Sequence, residues 1–121
     1  MLRPGTIKVY SGRREAHGCV VEVSEKLDHH SFLVAVYPLK PRNDLVNHSP
    51  NGFEWGYAGS GPAQLSFALL LDYLGDKRLE KAQKLYQRFK FAVITRLEPT
   101  WTLTGDEIEQ ILADLEKAEI P

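Results

Sequence analysis

Cysteine is nearly absent from this 121-residue chain, with Cys19 its sole representative. One thiol excludes an internal disulfide framework and any centre built from several cysteines, and it suits a reducing compartment. Long apolar runs are missing too. The longest unbroken one, residues 32–37, is far too short to span a bilayer, and the opening Met1-Leu-Arg-Pro-Gly5 lacks the apolar stretch of a secretory signal. A soluble, cytoplasmic protein that does not engage a membrane is the expectation. No segment repeats another and none has a linker's composition, so residues 1–121 are expected to form a single domain, with about two-thirds of the unfolded surface buried.

Spaced metal ligands are also wanting. His29, His30 and His48 draw attention, but adjacent histidines point to opposite faces of a strand, and no His-x-x-x-His or Cys-x-x-Cys pair exists. Neither a metal nor a cofactor is expected. The net charge is only −1, yet it conceals two opposed blocks. Residues 77–96 carry seven basic side chains against Glu80, and residues 98–121 carry seven acidic ones against Lys117. Each segment therefore has to be read by itself.

The first half reads as strands. Thr6-Ile-Lys-Val-Tyr-Ser11 alternates polar and apolar residues, Gly12 ends the run, and Cys19-Val-Val-Glu-Val23 supplies β-branched residues for a hairpin partner. Leu27-Asp-His-His30 fits no one pattern. Ser31-Phe-Leu-Val-Ala-Val-Tyr37 resumes a strand that Pro38 and Pro41 terminate. Residues 40–51 read as a long surface loop, and residues 53–57 as a short strand with Phe53, Trp55 and Tyr57 on one side.

The second half reads as helices. Pro62 suits a first helical position with Gly61 as cap, and residues 63–74 are apolar nearly all round, as in a buried central helix. A second helix is expected over 78–97, with Leu79, Ala82, Tyr86, Phe89, Val93 and Leu97 as its apolar stripe, and with a strand as the alternative for 91–95. Trp101 and Leu103 form a short extended lead into a last helix. Thr104-Gly-Asp-Glu107 is a capping box for that helix. The fold class expected is α+β, a small antiparallel sheet packed against two or three helices.

The candidate site is the turn between sheet and central helix. Gly56, Gly59 and Gly61 permit positive φ angles and close backbone approach. Ser60, Gln64 and the N–H groups of Ala63 and Gln64 at the helix N-terminus supply donors for an anion, with Trp55 and Tyr57 as contact area. Arg13 and Arg14 border this site if the hairpin lies beside it. The lysine of a phosphate-binding P-loop is missing, and so is dinucleotide-fingerprint spacing. As a catalytic nucleophile Ser60 is weak, because Ala58 and Pro62 stand where a nucleophile elbow needs glycine. Glu54 is the weak candidate for a general base. A basic face of Lys77, Lys81, Lys84 and Arg88 offers nucleic acid a phosphate-tracking surface, or pairs with the acidic last helix.

The block Phe53-Glu-Trp-Gly-Tyr-Ala-Gly-Ser-Gly-Pro-Ala-Gln-Leu65 resembles the hallmark of a small, uncharacterised bacterial and phage domain family. The chain is similar to its members in Tyr10-Ser-Gly-Arg13, in Tyr86-Gln-Arg-Phe-Lys90 and in Trp101-Thr-Leu103. The resemblance covers most of the chain and implies kinship without a chemistry. Ser66 departs from it by replacing an alanine, and within a helix its hydroxyl is expected to bond the carbonyl four residues back.

Three functions follow in order. The first is a small binding or regulatory domain that recognises a small anionic ligand or a protein partner through Trp55, Tyr57, Gly59, Ser60, Gly61 and Gln64. An enzyme acting on a phosphorylated or nucleotide-like molecule comes second, and a nucleic-acid binder third. Exposed aromatics near the loop would suit a homodimer as well as a ligand.

Overall fold

The computed structural model describes residues 6–27 and 33–118. Strands β1 (Ile7–Glu15) and β2 (Gly18–Lys26) form the expected antiparallel hairpin, Lys8 opposite Glu25 and Tyr10 opposite Val23, but β1 does not end at Gly12: it runs on to Glu15, with Gly12 paired to Val21. Strand β3 (Leu33–Pro38) pairs antiparallel with β2 after a bulge at Glu25/Lys26, and β4 (Trp101–Thr104) pairs antiparallel with β1. The sheet order is β3-β2-β1-β4. The extended lead into the last helix is thus the sheet's fourth strand.

Alternation decides which face is covered. Tyr10, Val21, Val23, Trp101 and Leu103 are buried on one face, whereas Val34 and Val36 on the other are exposed. Helices α1 (Ser60–Leu74), α2 (Leu79–Ala92) and α3 (Gly105–Ala118) contribute to the same buried core as that inner face. The α+β architecture matches the sequence expectation. Helix α1 is buried without interruption from residue 61 to residue 71, as its all-round apolar pattern requires. The capping box forms as expected: the Glu107 N–H donates to Thr104 Oγ1 at 3.1 Å and the Thr104 N–H to Glu107 Oε1 at 3.0 Å. Among the described residues no helix is long and apolar enough to cross a membrane.

Four further local expectations are corrected. Helix α1 begins at Ser60 with Gly59 as its cap, so Pro62 lies inside the first turn. Residues 53–57 form no strand; Trp55 turns into the core at 1% exposure while Tyr57 stays 51% exposed. Helix α2 stops at Ala92, and the β-branched stretch beyond it becomes a 3-10 turn, Ile94–Arg96. Ser66 does not bond within its own helix. Its hydroxyl donates to the Tyr86 carbonyl at 2.6 Å and so ties α1 to α2.

Gly12 is required by close approach. A Cβ there would collide with the Trp101 indole, which lies across the strand from it. That indole meets Trp55 edge to face, 5.6 Å between centroids, and the pair seals the core under the loop that leads into α1.

Candidate functional site

Helix α1 begins on a loop that folds back on itself. Of its three glycines only Gly56 has a positive φ, 86°, and its N–H donates to the Ile94 carbonyl at 2.9 Å. Gly59 and Gly61 are needed for closeness: a Cβ would come within 2.8 Å of the Tyr57 ring at the first and of Glu54 Cβ at the second. The glycines therefore pack the loop onto itself. The donors expected at the helix start are reduced as well, because the Ala63 N–H already donates to the Gly59 carbonyl at 3.0 Å. Ser60 is exposed and Gly61 buried.

Gln64 is turned away from the loop. Fully buried, it donates from Nε2 to the carbonyls of Pro41 and Val46 at 2.6 and 2.8 Å. Its Oε1 accepts from the N–H groups of His48 and Ser49 at 2.7 and 3.3 Å. This side chain latches the long 40–51 segment onto α1. His48 adds a second latch, sharing a 2.6 Å hydrogen bond with the Tyr86 hydroxyl.

Glu54 is held by the hairpin. Arg14 Nη2 reaches Glu54 Oε1 at 3.0 Å and the Trp55 carbonyl at 3.1 Å, with its guanidinium 4.8 Å from the Trp55 ring centroid. The Cys19 thiol donates to Glu54 Oε2 at 3.2 Å. Burial pushes the Glu54 carboxyl up, but the donors Arg14, Cys19 and the Trp55 N–H outweigh it and hold it below the usual carboxylate range. A general base at neutral pH needs the opposite shift. Burial, then Glu54, pushes the Cys19 thiol up. Arg14 thus borders the loop as expected, whereas Arg13 pairs with Glu15 and Glu22 on the hairpin.

The basic stripe is divided. Lys81 pairs with Glu116 of α3 at 3.0 Å, so the basic and acidic helices do meet. Lys84 and Arg88 stand on α2, but Lys77 sits in the preceding 3-10 turn, Asp76–Arg78, and lines a different feature. His29 and His30 lie outside the described residues; among those described, no group of three His, Cys, Asp or Glu side chains could hold a metal.

That different feature is a groove of about 930 Å³ between the β3 end of the sheet and the C-terminal half of α1. Tyr37 and Pro38 form one side, Ala68, Leu71 and Leu74 the other, and Lys40, Arg42, Asp76 and Lys77 its rim. Its floor is charged. Lys8 is 3% exposed and donates to Asp72 Oδ2 at 2.9 Å, the same oxygen that accepts the Tyr10 hydroxyl at 2.7 Å. Burial, reinforced by Asp72, pushes the Tyr10 phenol far up, so it stays protonated and donates. Glu25, 2% exposed, accepts from Tyr37 at 2.8 Å and from Thr6 at 3.3 Å. At the rim Arg42 clamps Asp76 at 2.7 and 3.1 Å and also holds Asp44. Arg42 does this at a φ of 57°, unusual for a residue other than glycine.

Sequence reasoning missed this groove. Lys8 shares the covered strand face with Tyr10, and Asp72 is the sole charged residue of α1. A lone carboxylate in an otherwise apolar buried helix is the signal that could have pointed to it.

Comparison with known families matches residues 10–114 to the model of a family of unknown function, DUF6166, in keeping with the expected kinship to a family without an assigned chemistry. No curated protein and no solved structure matches the chain.

Proposed function

The chain belongs to that family of unknown function, and from its own geometry we propose that it is a small binding module whose ligand occupies the groove beside α1. One observation carries this reading: the Lys8–Asp72 ion pair and the Tyr37–Glu25 hydrogen bond sit at the floor of a concavity of about 930 Å³. Burying charged groups is expensive, and a hydrophobic pair is often at least as stable, so such a floor needs a reason beyond stability. Polar groups that converge on a groove of this size supply one.

The loop at the start of α1 supports a second reading, a docking face for a protein partner. Tyr57 at 51% exposure, Ser60 and the Arg14–Glu54 bridge offer mixed polar and aromatic contacts of the kind interfaces favour. Trp55, Gly61 and Gln64 drop out of that surface because they are buried. An enzyme using Glu54 as base gains nothing from a carboxyl held below its ordinary range. Nucleic acid gains little from a helix whose Lys81 is paired across to α3.

A thermal-shift screen of nucleotides, sugar phosphates, amino acids and carboxylates tests the groove. It is run on the wild type, on Pro38→Trp, which fills the groove from an exposed strand end, and on Tyr57→Ala with Ser60→Ala. Compounds that stabilise the wild type and the loop variant but not Pro38→Trp are expected. Stabilisation that survives Pro38→Trp and disappears in the loop variant moves the site to the loop. A panel with no stabilising compound removes the small-molecule reading.

A further inference from the structure

Resting on the groove reading, we infer that the ligand is a small molecule with an anionic head and a hydrogen-donating body. The inference comes from which groups in the groove are already engaged. Lys8 is held by Asp72. Both carboxylate oxygens of Asp76 are taken by Arg42, which also reaches Asp44. The Tyr73 hydroxyl donates to Glu109 at 2.6 Å. Among the described residues that leaves Lys40 and Lys77 as the lining cations with no carboxylate within 4 Å.

Those two lysines belong to one end. Lys77 follows Asp76 in the chain, and Lys40 is near enough to help hold the Asp76 carboxyl below its ordinary range, after the larger effect of Arg42. Lys40, Arg42 and Lys77 therefore share that rim with a single lining acid, and the surplus charge is positive. A carboxylate or phosphate placed there gains two charge-assisted contacts that no protein group supplies.

The inner end has the opposite chemistry. The donors of Lys8 and Tyr10 both fall on Asp72 Oδ2, and the Asp72 side chain is still 24% exposed. A carboxylate accepts several hydrogen bonds, so its other oxygen offers an incoming molecule an acceptor. Hydroxyl or amine hydrogens fit that oxygen, while Pro38, Ala68, Leu71 and Leu74 add apolar lining. Hydroxy acids, amino acids and sugar phosphates share this pattern.

Calorimetric titration separates the claims. Ribose 5-phosphate, gluconate and serine are the acids, ribose and glucose the neutral parents of the first two, ethanolamine the cation that serine leaves without its carboxylate, and inorganic phosphate the head alone. Each is titrated into the wild type, into Lys40→Gln with Lys77→Gln, and into Pro38→Trp. At least one acid is expected to bind ten-fold or more tightly than its neutral parent and than phosphate. That preference should fall at least ten-fold in the lysine double variant. A neutral parent or ethanolamine binding as tightly as the acids, with binding lost in Pro38→Trp, overturns the ligand class and leaves the groove standing. Acid binding that Pro38→Trp does not weaken overturns the groove itself, as does the absence of binding by every probe.

Discussion

Replacing Gln64 by Met keeps the volume in the core and removes one function, the latch on residues 41–49. Four hydrogen bonds go, three of them at 2.8 Å or less. At about 1 kcal/mol net for each bond, with some compensation where the loop groups regain water, the loss comes to about 3 kcal/mol. For a chain of this size that corresponds to a fall in Tm of roughly 10 °C. Urea unfolding supplies the free energy. Amide exchange supplies the location: the His48 and Ser49 amides should exchange much faster, with the interior of α1 changed only by the global loss. Because the same loop delivers Lys40 and Arg42 to the groove rim, any ligand bound there should bind more weakly too. A loss below 1 kcal/mol with His48 protection unaltered would refute the latch.

Gly12→Ala places a methyl group inside the Trp101 indole, and overpacking of this kind should cost about 1–3 kcal/mol, read from the urea midpoint. Acid should weaken the fold through Glu54, Asp44 and Asp76, whose carboxyls lie below their ordinary values in the folded state. The stability they contribute is present above about pH 4 and is lost as pH falls through the lower folded values, so Arg14→Ala with Arg42→Ala should flatten the stability profile below that point. Cys19 should alkylate slowly with iodoacetamide at pH 7.5, since burial and the neighbouring carboxylate keep the thiol protonated, and Glu54→Gln should speed the reaction. Equal rates in the two proteins would contradict the Cys19–Glu54 contact.

The fold was largely legible because its signals are local. Period-two runs marked the hairpin, an all-round apolar segment marked α1, and Thr104 with Glu107 marked the start of α3. Glu54 and Arg14 were each legible as neighbours of the loop. What the loop does was less so, because whether a glycine serves φ or closeness depends on what packs against it, here Tyr57 for Gly59 and Glu54 for Gly61. Gln64 looked like a donor at a helix start, yet its partners lie 15 to 23 residues back, a separation no spacing rule covers. The groove was hidden for the same reason. Lys8 and Asp72 are 64 residues apart, so the lone carboxylate of α1 marks a polar contact without naming its partner. Their meeting is a property of how α1 lies on the sheet.

The central claim is that the groove, and not the glycine loop, is where this protein binds. Amide shift mapping on ¹⁵N-labelled protein, titrated with the most stabilising compound of the screen, tests it most directly. Saturable shifts are predicted at Tyr37, Lys40, Asp72, Gly75 and Lys77. Shifts confined to Tyr57, Gly59 and Ser60 would contradict it.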